Sequence, residues 1–376
     1  MGERVLFFVE GWGNGGIESV IMDIVRAEEF QSAKRTFDIF CICDWNDGFD
    51  QEIESLGGKR FVCYPGTRPG LAKKLLSGIR GFSKIIKSAK YDVVHINATN
   101  GSGLVYAWLA ERCGIPIRVV HAHNSSFDSP IGAKIKSLVH WLGKALFGNA
   151  PTERIACSPA AGDFMFDDKP YQVLLNGVEV DRFAFSDQDR RGVRSELGFP
   201  EDAIVIGSVG RIDTRKNPLF MVDVFAEYKK KERGSYCLFV GSGDLEAELK
   251  EKTLASGVSD SVRLVPATSR PERYYSAIDI LLVPSLSEGF GLVAVEGQCS
   301  GLPVLSSTAL PEDVCCTPRA KRIPLSWGKN RWAEEVGRML HSNDFNRVLA
   351  VDEVKGTPLD AKEMARQINV LYESSN

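Results

Sequence analysis

Glu288 and Glu296 are separated by seven residues in the segment Glu288-Gly-Phe-Gly-Leu-Val-Ala-Val-Glu296. The segment follows a short apolar run, Ile280–Pro284, that reads as a buried strand. Gly289 and Gly291 allow the backbone to approach a ligand closely. A helix predicted over Leu292–Gln298 begins there, and its first N–H groups and positive dipole end suit an anion. Glu288 then lies in the loop and Glu296 inside the helix. A carboxylate can grip two vicinal hydroxyls at once, so this pair suits two polyol rings flanking a diphosphate.

Arg211 and Lys216 supply the complementary charge. They follow the predicted strand Ala203–Val209, where the carboxyl end of a parallel sheet places its ligands. A diphosphate leaving group gains negative charge as its bond to a sugar breaks, and cations or a metal must neutralise that charge. Arginine does so with a fixed fork and lysine as a compact point charge. The metal route has weak support. Asp187-Gln-Asp189 has D-x-D spacing, but it lies in a polar stretch rather than at a strand end. Histidines 95, 121, 123, 140 and 341 and the nine cysteines show no zinc spacing. No metal or cofactor is therefore expected.

The elements that must hold these groups alternate short apolar runs with helical patterns, the signature of parallel α/β units. Candidate strands in the first half are Val5–Val9, Phe37–Ile42, Val93–Ile96, Arg118–His121, Arg154–Cys157 and Gln172–Leu175. After Asn176-Gly-Val178 a polar stretch, Asp181–Arg194, reads as a linker. The pattern then restarts with Ala203–Val209, Cys237–Val240, Val262–Val265 and Ile280–Pro284. Asn217-Pro218 reads as an N-cap and first helical residue. Two doubly wound domains facing each other across a cleft are expected: residues 1–178, residues 179–358, and a terminal helix in 359–376 packing back on the first.

Bulk properties agree with two domains in 376 residues, 44% hydrophobic and 25% charged. A net charge of -3 excludes a globally basic nucleic-acid binder. Scattered cysteines without C-x-x-C pairs read as reduced thiols, and neither a signal peptide nor a transmembrane run is evident. A cytoplasmic chain, peripheral at most on the inner face of a membrane, is the expectation.

The E-G-F-G-x-x-x-x-E segment resembles the motif of retaining glycosyltransferase family 4, of the GT-B fold. Ser208-Val-Gly-Arg211 with Lys216-Asn-Pro resembles that family's basic pair, and Phe239-Val-Gly-Ser-Gly243 its next glycine turn. Asn176-Gly-Val-Glu-Val-Asp181 resembles its interdomain signature, with Glu179 where Asp is common. Gly15-Gly16-Ile-Glu and Val119-Val-His-Ala-His-Asn124 resemble the branch that makes capsular and exopolysaccharides. The resemblance implies transfer of a hexosyl or N-acetylhexosaminyl unit from a nucleotide sugar, a UDP-sugar, to a saccharide or polyprenyl-diphosphate-linked acceptor. It implies a donor site in the second domain and an acceptor site in the first. Glu288 would hold the sugar and Glu296 the ribose. Backbone groups of Phe290, Gly291 and Leu292 would face sugar and phosphates, with Gly15 and Gly16 against the phosphates. His123 would stand near the anomeric carbon, although alternation puts His121 on the same face.

Two further features compete with or extend this reading. Gly11-Trp-Gly13-Asn-Gly-Gly16 satisfies G-x-G-x-x-G after a strand, with Asp44 as a ribose-binding acid, which suggests an NAD(P)-dependent oxidoreductase or epimerase. A catalytically silent subunit of the GT-B fold is the non-enzymatic alternative. Residues 68–90 carry Arg68, Lys73, Lys74, Arg80, Lys84, Lys87 and Lys90 without an acid, around an apolar stripe of Leu75, Ile79, Phe82 and Ile86. With the basic amphipathic helix at 134–147, this suits attraction to anionic lipid.

Overall fold

A computed structural model describes every residue except 1, 14, 45–48, 68, 128–132, 343–345 and 375–376. The chain forms two compact units, Met1–Gly177 with Ala361–Asn376, and Val178–Asp360. Arg68 and Asn14 fall outside the described residues.

The first unit is built on a seven-stranded, all-parallel sheet in the order β3-β2-β1-β4-β5-β6-β7. Its strands are β1 (Arg4–Trp12), β2 (Thr36–Asp44), β3 (Lys59–Pro65), β4 (Val93–Ala98), β5 (Ile117–Ala122), β6 (Glu153–Ala156) and β7 (Gln172–Val173). Val5 to Val9 are all buried, as a strand covered on both faces requires. Helix Leu71–Ser88 turns Phe82 and Ile86 inward, so the apolar stripe is a core contact. The terminal helix Ala361–Ser374 belongs to this unit, and the Tyr372 hydroxyl lies 2.7 Å from His95 Nδ1 beneath it.

The second unit carries a six-stranded parallel sheet in the order β10-β9-β8-β11-β12-β13. These strands are β8 (Val205–Val209), β9 (Tyr236–Val240), β10 (Val262–Val265), β11 (Ile280–Val283), β12 (Val304–Ser307) and β13 (Ala320–Ile323). One core joins Ile206, Phe225, Phe239, Leu282, Leu305 and Trp332. In both units the first strand is central and the order reverses beside it, which defines the edge where ligands bind in such sheets.

Two sequence expectations need correction. The stretch read as a polar linker contains helix Asp187–Leu197, capped by Ser186, whose Oγ accepts from Asp189 N. The helix is anchored by a charge: Arg194 is buried and donates to Asp279 Oδ2 at 2.6 Å. Asp187 and Asp189 of the D-x-D spacing pair with Arg191 and Arg273. Asn217 does precede a helix, Pro218–Lys229, but its side chain makes no cap. It sits at φ 55° and its amide donates to the Pro284 carbonyl at 3.2 Å.

The glycine turn after β9 has a packing explanation. Gly241 has φ 146°, and a Cβ there would lie 1.9 Å from the Gly210 carbonyl oxygen. The loops leaving β8 and β9 therefore touch backbone to backbone. Gly257 has φ 68° with open space around it. Gly241→Ala is expected to cost about 3 kcal/mol or more, and Gly257→Ala about 1 kcal/mol. Urea unfolding of both variants checks this; equal midpoints would contradict the close approach.

Candidate functional site

In the second unit, β8 and β11 are neighbours, with Ile206 opposite Ile280 and Gly207 opposite Leu281. The loops leaving their carboxyl ends carry Arg211, Lys216 and Glu288, and they are tied together. Leu286 N donates to the Arg215 carbonyl at 2.7 Å, beside the Asn217–Pro284 bond. Asp213 Oδ1 accepts from Lys216 N and fixes the short turn Thr214–Lys216.

On this frame Lys216 Nζ reaches Glu288 Oε1 at 2.5 Å, and Ser285 Oγ donates to the same oxygen at 2.6 Å. Both members of the ion pair are largely sheltered, with 20% and 10% of their side chains exposed. Arg211 is about half exposed and lies 3.4 Å from Asp213. The sequence reading gave Lys216 to a phosphate alone; the structure also gives it a carboxylate partner.

Helix Leu292–Cys299 begins at Gly291, whose φ is 96°. A side chain there would strike Leu310 at 2.8 Å, so this residue must be glycine for both reasons. The side chains of Phe290 and Leu292 are buried, which leaves only their backbone for a ligand. Glu296, five residues into the helix count, accepts a hydrogen bond from the Tyr275 hydroxyl. Burial raises its carboxyl pKa above the usual range, against the lowering pull of the Tyr275 bond and of Arg182 and Lys216.

Tyr275 and Arg347 are the residues that pattern reasoning missed. Tyr275 is fully buried on helix Glu272–Ala277. Arg347 donates to the carbonyls of Tyr275, Ile278 and Ser300 at 3.0, 2.8 and 2.9 Å, stitching that helix to the end of the next. Burial pulls its pKa down to about 9. Neither residue belongs to a short motif, and only their burial reveals them.

In the first unit, Gly15 caps helix Gly16–Arg26. Glu18, from that helix, is buried and accepts from Gly13 N at 2.8 Å. A side chain on Gly15 would meet the same carboxylate at 2.6 Å. Asp44 is engaged by Arg60 at 2.6 Å and by Gly66 N at 2.9 Å. A dinucleotide needs the helix start for its pyrophosphate and the acid for its ribose. Here an internal carboxylate takes the first position and an arginine holds the second, so the fingerprint does not build an NAD(P) site.

His121 and His123 share a face, as alternation requires, with ring centroids 4.0 Å apart. His121 is fully buried and its Nδ1 lies 3.4 Å from His95 Nε2. His123 is 4% exposed, and its Nε2 is 2.9 Å from Asn97 Oδ1. Burial pushes His95 and His123 down to about 3, and His121 lies well below its ordinary value. All three rings are neutral at physiological pH.

Residues 189–314 match the family model of glycosyl transferases group 1, and residues 15–170 match a glycosyl transferase 4-like domain. Together these spans include both glutamates, the basic pair, Gly15, Gly16 and His123. The chain is a glycosyltransferase of this family. Over 99% of its length it is 28% identical to EpsF of Bacillus subtilis, covering 97% of that protein. It is 26% identical, over 75% of each chain, to an Escherichia coli UDP-Gal:alpha-D-GlcNAc-diphosphoundecaprenol alpha-1,3-galactosyltransferase. Its backbone superposes on Anabaena HepE, solved with UDP-glucose, with a TM-score of 0.78 at 18% identity, covering 99% of each chain. The two Rossmann-like units are those of the GT-B fold. Among the described residues no helix is long and apolar enough to cross a membrane, and no cluster of three or more His, Cys, Asp or Glu is arranged to hold a metal.

The neutral histidines of this glycosyltransferase make stability depend on pH. Their folded pKa values lie below the unfolded value of 6.5, so the unfolded chain binds more protons between the two. Stability is then fully present above about pH 6.5 and is lost as pH falls towards 3, by at most about 1.4 kcal/mol per pH unit for each histidine. Urea titrations at pH 7 and pH 5 measure the slope, and His121→Phe is expected to reduce it. An unchanged slope in that variant would contradict a buried neutral ring.

Proposed function

We propose that the enzyme transfers a hexosyl or N-acetylhexosaminyl unit from a UDP-sugar, with retention, to a saccharide or polyprenyl-diphosphate-linked acceptor in polysaccharide biosynthesis. The observation that carries the donor assignment is the joining of Lys216 and Glu288 across the ends of β8 and β11, beside a glycine-opened helix start. Cation, carboxylate and helix N-terminus are the three groups that a sugar diphosphate requires. The name of the Escherichia coli relative supports a UDP-linked donor and a lipid-diphosphate acceptor class.

In this reading Glu288, oriented by Lys216 and Ser285, accepts hydrogen bonds from hydroxyls of the transferred sugar. Glu296, oriented by Tyr275, accepts from the ribose. Arg211 and Lys216 stabilise charge growing on the diphosphate, so the work is done where the transition state differs from the ground state. The acceptor oxygen forms its bond to the anomeric carbon as the bond to phosphate breaks, and the leaving phosphate oxygen takes the acceptor proton. His123 acts as a neutral hydrogen-bonding ring, because a group with so low a pKa is a poor proton acceptor. Gly15 and Gly16 are proposed to approach the phosphates through their backbone.

The first unit is proposed to bind the acceptor and to meet the inner face of the membrane. Helix Ala133–Phe147 exposes Leu138, Trp141 and Leu146, with Lys134 and Lys136 on the same helix. Apolar side chains beside lysines suit the boundary of an anionic bilayer.

Because Arg211 and Lys216 supply the cationic charge, transfer is expected to continue in EDTA at an undiminished rate. Loss of activity that magnesium or manganese restores would overturn this metal-free assignment.

The two carboxylates separate in calorimetry. Glu296→Ala is expected to weaken UDP and UDP-sugar alike, by about 1.5–3 kcal/mol. Glu288→Ala is expected to leave UDP affinity nearly unchanged while removing most of the donor's advantage over UDP. Ribose hydroxyls favour the ionised form of Glu296, whose pKa is raised in the free enzyme. Binding then releases a proton at pH values between the bound and the raised free pKa, and UDP affinity rises with pH there. Calorimetry in buffers of different ionisation heat detects that proton, and Glu296→Gln should abolish it. Equal loss of UDP and donor in a folded Glu288→Ala protein would overturn the sugar assignment.

A further inference from the structure

A cavity of about 200 Å³ lies within the first unit, at the carboxyl ends of β1 and β4. Its position follows from how helix Leu71–Ser88 is seated. At Gly78 the helix presses onto the sheet so closely that a Cβ would lie 2.3 Å from the Tyr106 hydroxyl and 2.8 Å from Ile42. Nearly two turns earlier, at Leu71 and Ala72, the helix is exposed. The cavity is floored by Phe8, Ile42, Leu75 and Tyr106. Phe8 and Tyr106 are buried and stacked with centroids 3.9 Å apart, so the floor is rigid and apolar.

The polar side chains that line the cavity are engaged within the protein: buried Asn97 donates to the Phe8 carbonyl at 3.2 Å and meets His123 Nε2, and Asn100 accepts from Ser102 N. Glu10 pairs with Lys74 and accepts from Thr99 Oγ1 at 3.3 Å, and all three residues line the cavity. Lys73, on the same helical turn, is exposed. Residues 71–90 hold six basic side chains and no acid. A hexose seated on this floor would leave most of its hydroxyls without partners, at a cost of about 1–3 kcal/mol each. Hydrocarbon needs no partners, and an apolar cavity of roughly 150 Å³ suffices for a molecule the size of benzene.

One wall supplies the direction of the chain. Val139 lines the cavity from helix Ala133–Phe147. That helix also exposes Ile135, Leu138, Trp141 and Leu146, with Trp141 at 63%. The cavity therefore adjoins the helix with the apolar face already proposed to meet lipid.

We infer that this cavity seats the first isoprenoid carbons of the lipid-diphosphate acceptor. The basic first turn of helix Leu71–Ser88 attracts the diphosphate, and the apolar face of helix Ala133–Phe147 continues the path to the bilayer. The inference rests on the lipid-linked acceptor proposed above and adds where its hydrocarbon is read. It makes the chain a component of recognition, so that a bare saccharide diphosphate is a poorer ligand than an isoprenyl one.

The test uses the full chain with saturating UDP, which fills the donor diphosphate site. Farnesyl diphosphate, below its aggregation concentration, is compared with inorganic diphosphate by calorimetry. Farnesyl diphosphate is expected to bind at least about tenfold tighter. Ala72→Phe, which places a ring at the exposed mouth, should remove that advantage. Leu75→Asn, which puts an amide in the wall, should do the same. Val370→Ser, exposed on the terminal helix and outside both the cavity and the lipid-facing helix, should retain it. Equal affinity for the two probes in the native chain would overturn the inference. So would an advantage that survives both cavity variants while UDP affinity shows them folded. Loss in Val370→Ser equal to that in Ala72→Phe would assign the effect to non-specific surface adsorption and also overturn it. Failure of the native chain to bind UDP would count instead against the donor assignment, and the farnesyl comparison could still be read without nucleotide.

Discussion

A lysine and a glutamate held 2.5 Å apart make one platform of two loops that belong to different βα units. Each loop alone would be a surface connection free to move. The ammonium–carboxylate contact, with the backbone bond from Leu286 to Arg215, fixes one loop against the other. The pair is largely sheltered from water, so removing one partner strands the other charge at a cost of several kcal/mol. The same geometry sets the chemistry. In the proposed reading, an ammonium already holding a carboxylate places the acceptor for sugar hydroxyls beside the cation for the diphosphate.

Around that platform, positioning falls to residues that never need to touch a ligand. Glu296 is aimed by Tyr275, and Tyr275 is held through its carbonyl by Arg347, which also grips the carbonyl of Ser300 just beyond the helix bearing Glu296. Desolvation of this guanidinium, which lowers its pKa, is costly. Four carbonyl acceptors, of Tyr275, Ser276, Ile278 and Ser300, and the ring of Phe185 4.4 Å away offset that cost. Rigidity of the carboxylate is what the burial provides, in keeping with a site that works by preorganised charge.

Most central strands were legible because parallel sheets bury both faces, and runs such as Val5–Val9 and Ile280–Pro284 stand out against helical periodicity; Val304–Ser307, buried but half serine, was not. Of the four edge strands, Gln172–Val173 and Val262–Val265 were legible and two were not. Lys59–Pro65 and Ala320–Ile323 are only partly covered, so their sequences carry polar residues and lose the signal. Helix Asp187–Leu197 was read as linker because its burial rests on one valine and one arginine, and Arg194 becomes a core residue only through Asp279. The glutamate pair and the basic pair were legible because each sits next to glycines at a strand end. Their contact with each other was not, since strands β8 and β11 are about seventy residues apart and nothing local records that they are neighbours.

The glycine-rich turn after β1 shows why spacing without geometry misleads. Gly11, Gly13 and Gly16 meet the dinucleotide pattern, yet the pattern names only where a backbone is permitted to come close, not what it comes close to. In this chain the residue two positions after Gly16 is Glu18, and its carboxylate turns back onto Gly13 N. An anion supplied by the protein itself thus satisfies part of the helix start that a pyrophosphate would use. Any phosphate approaching Gly15 and Gly16 meets a negative charge in place, which favours short-range contact by backbone over capture of a whole dinucleotide. The affinity for diphosphate must then come from elsewhere, and the second unit, with Arg211, Lys216 and a helix opened by Gly291, is where the cationic groups stand.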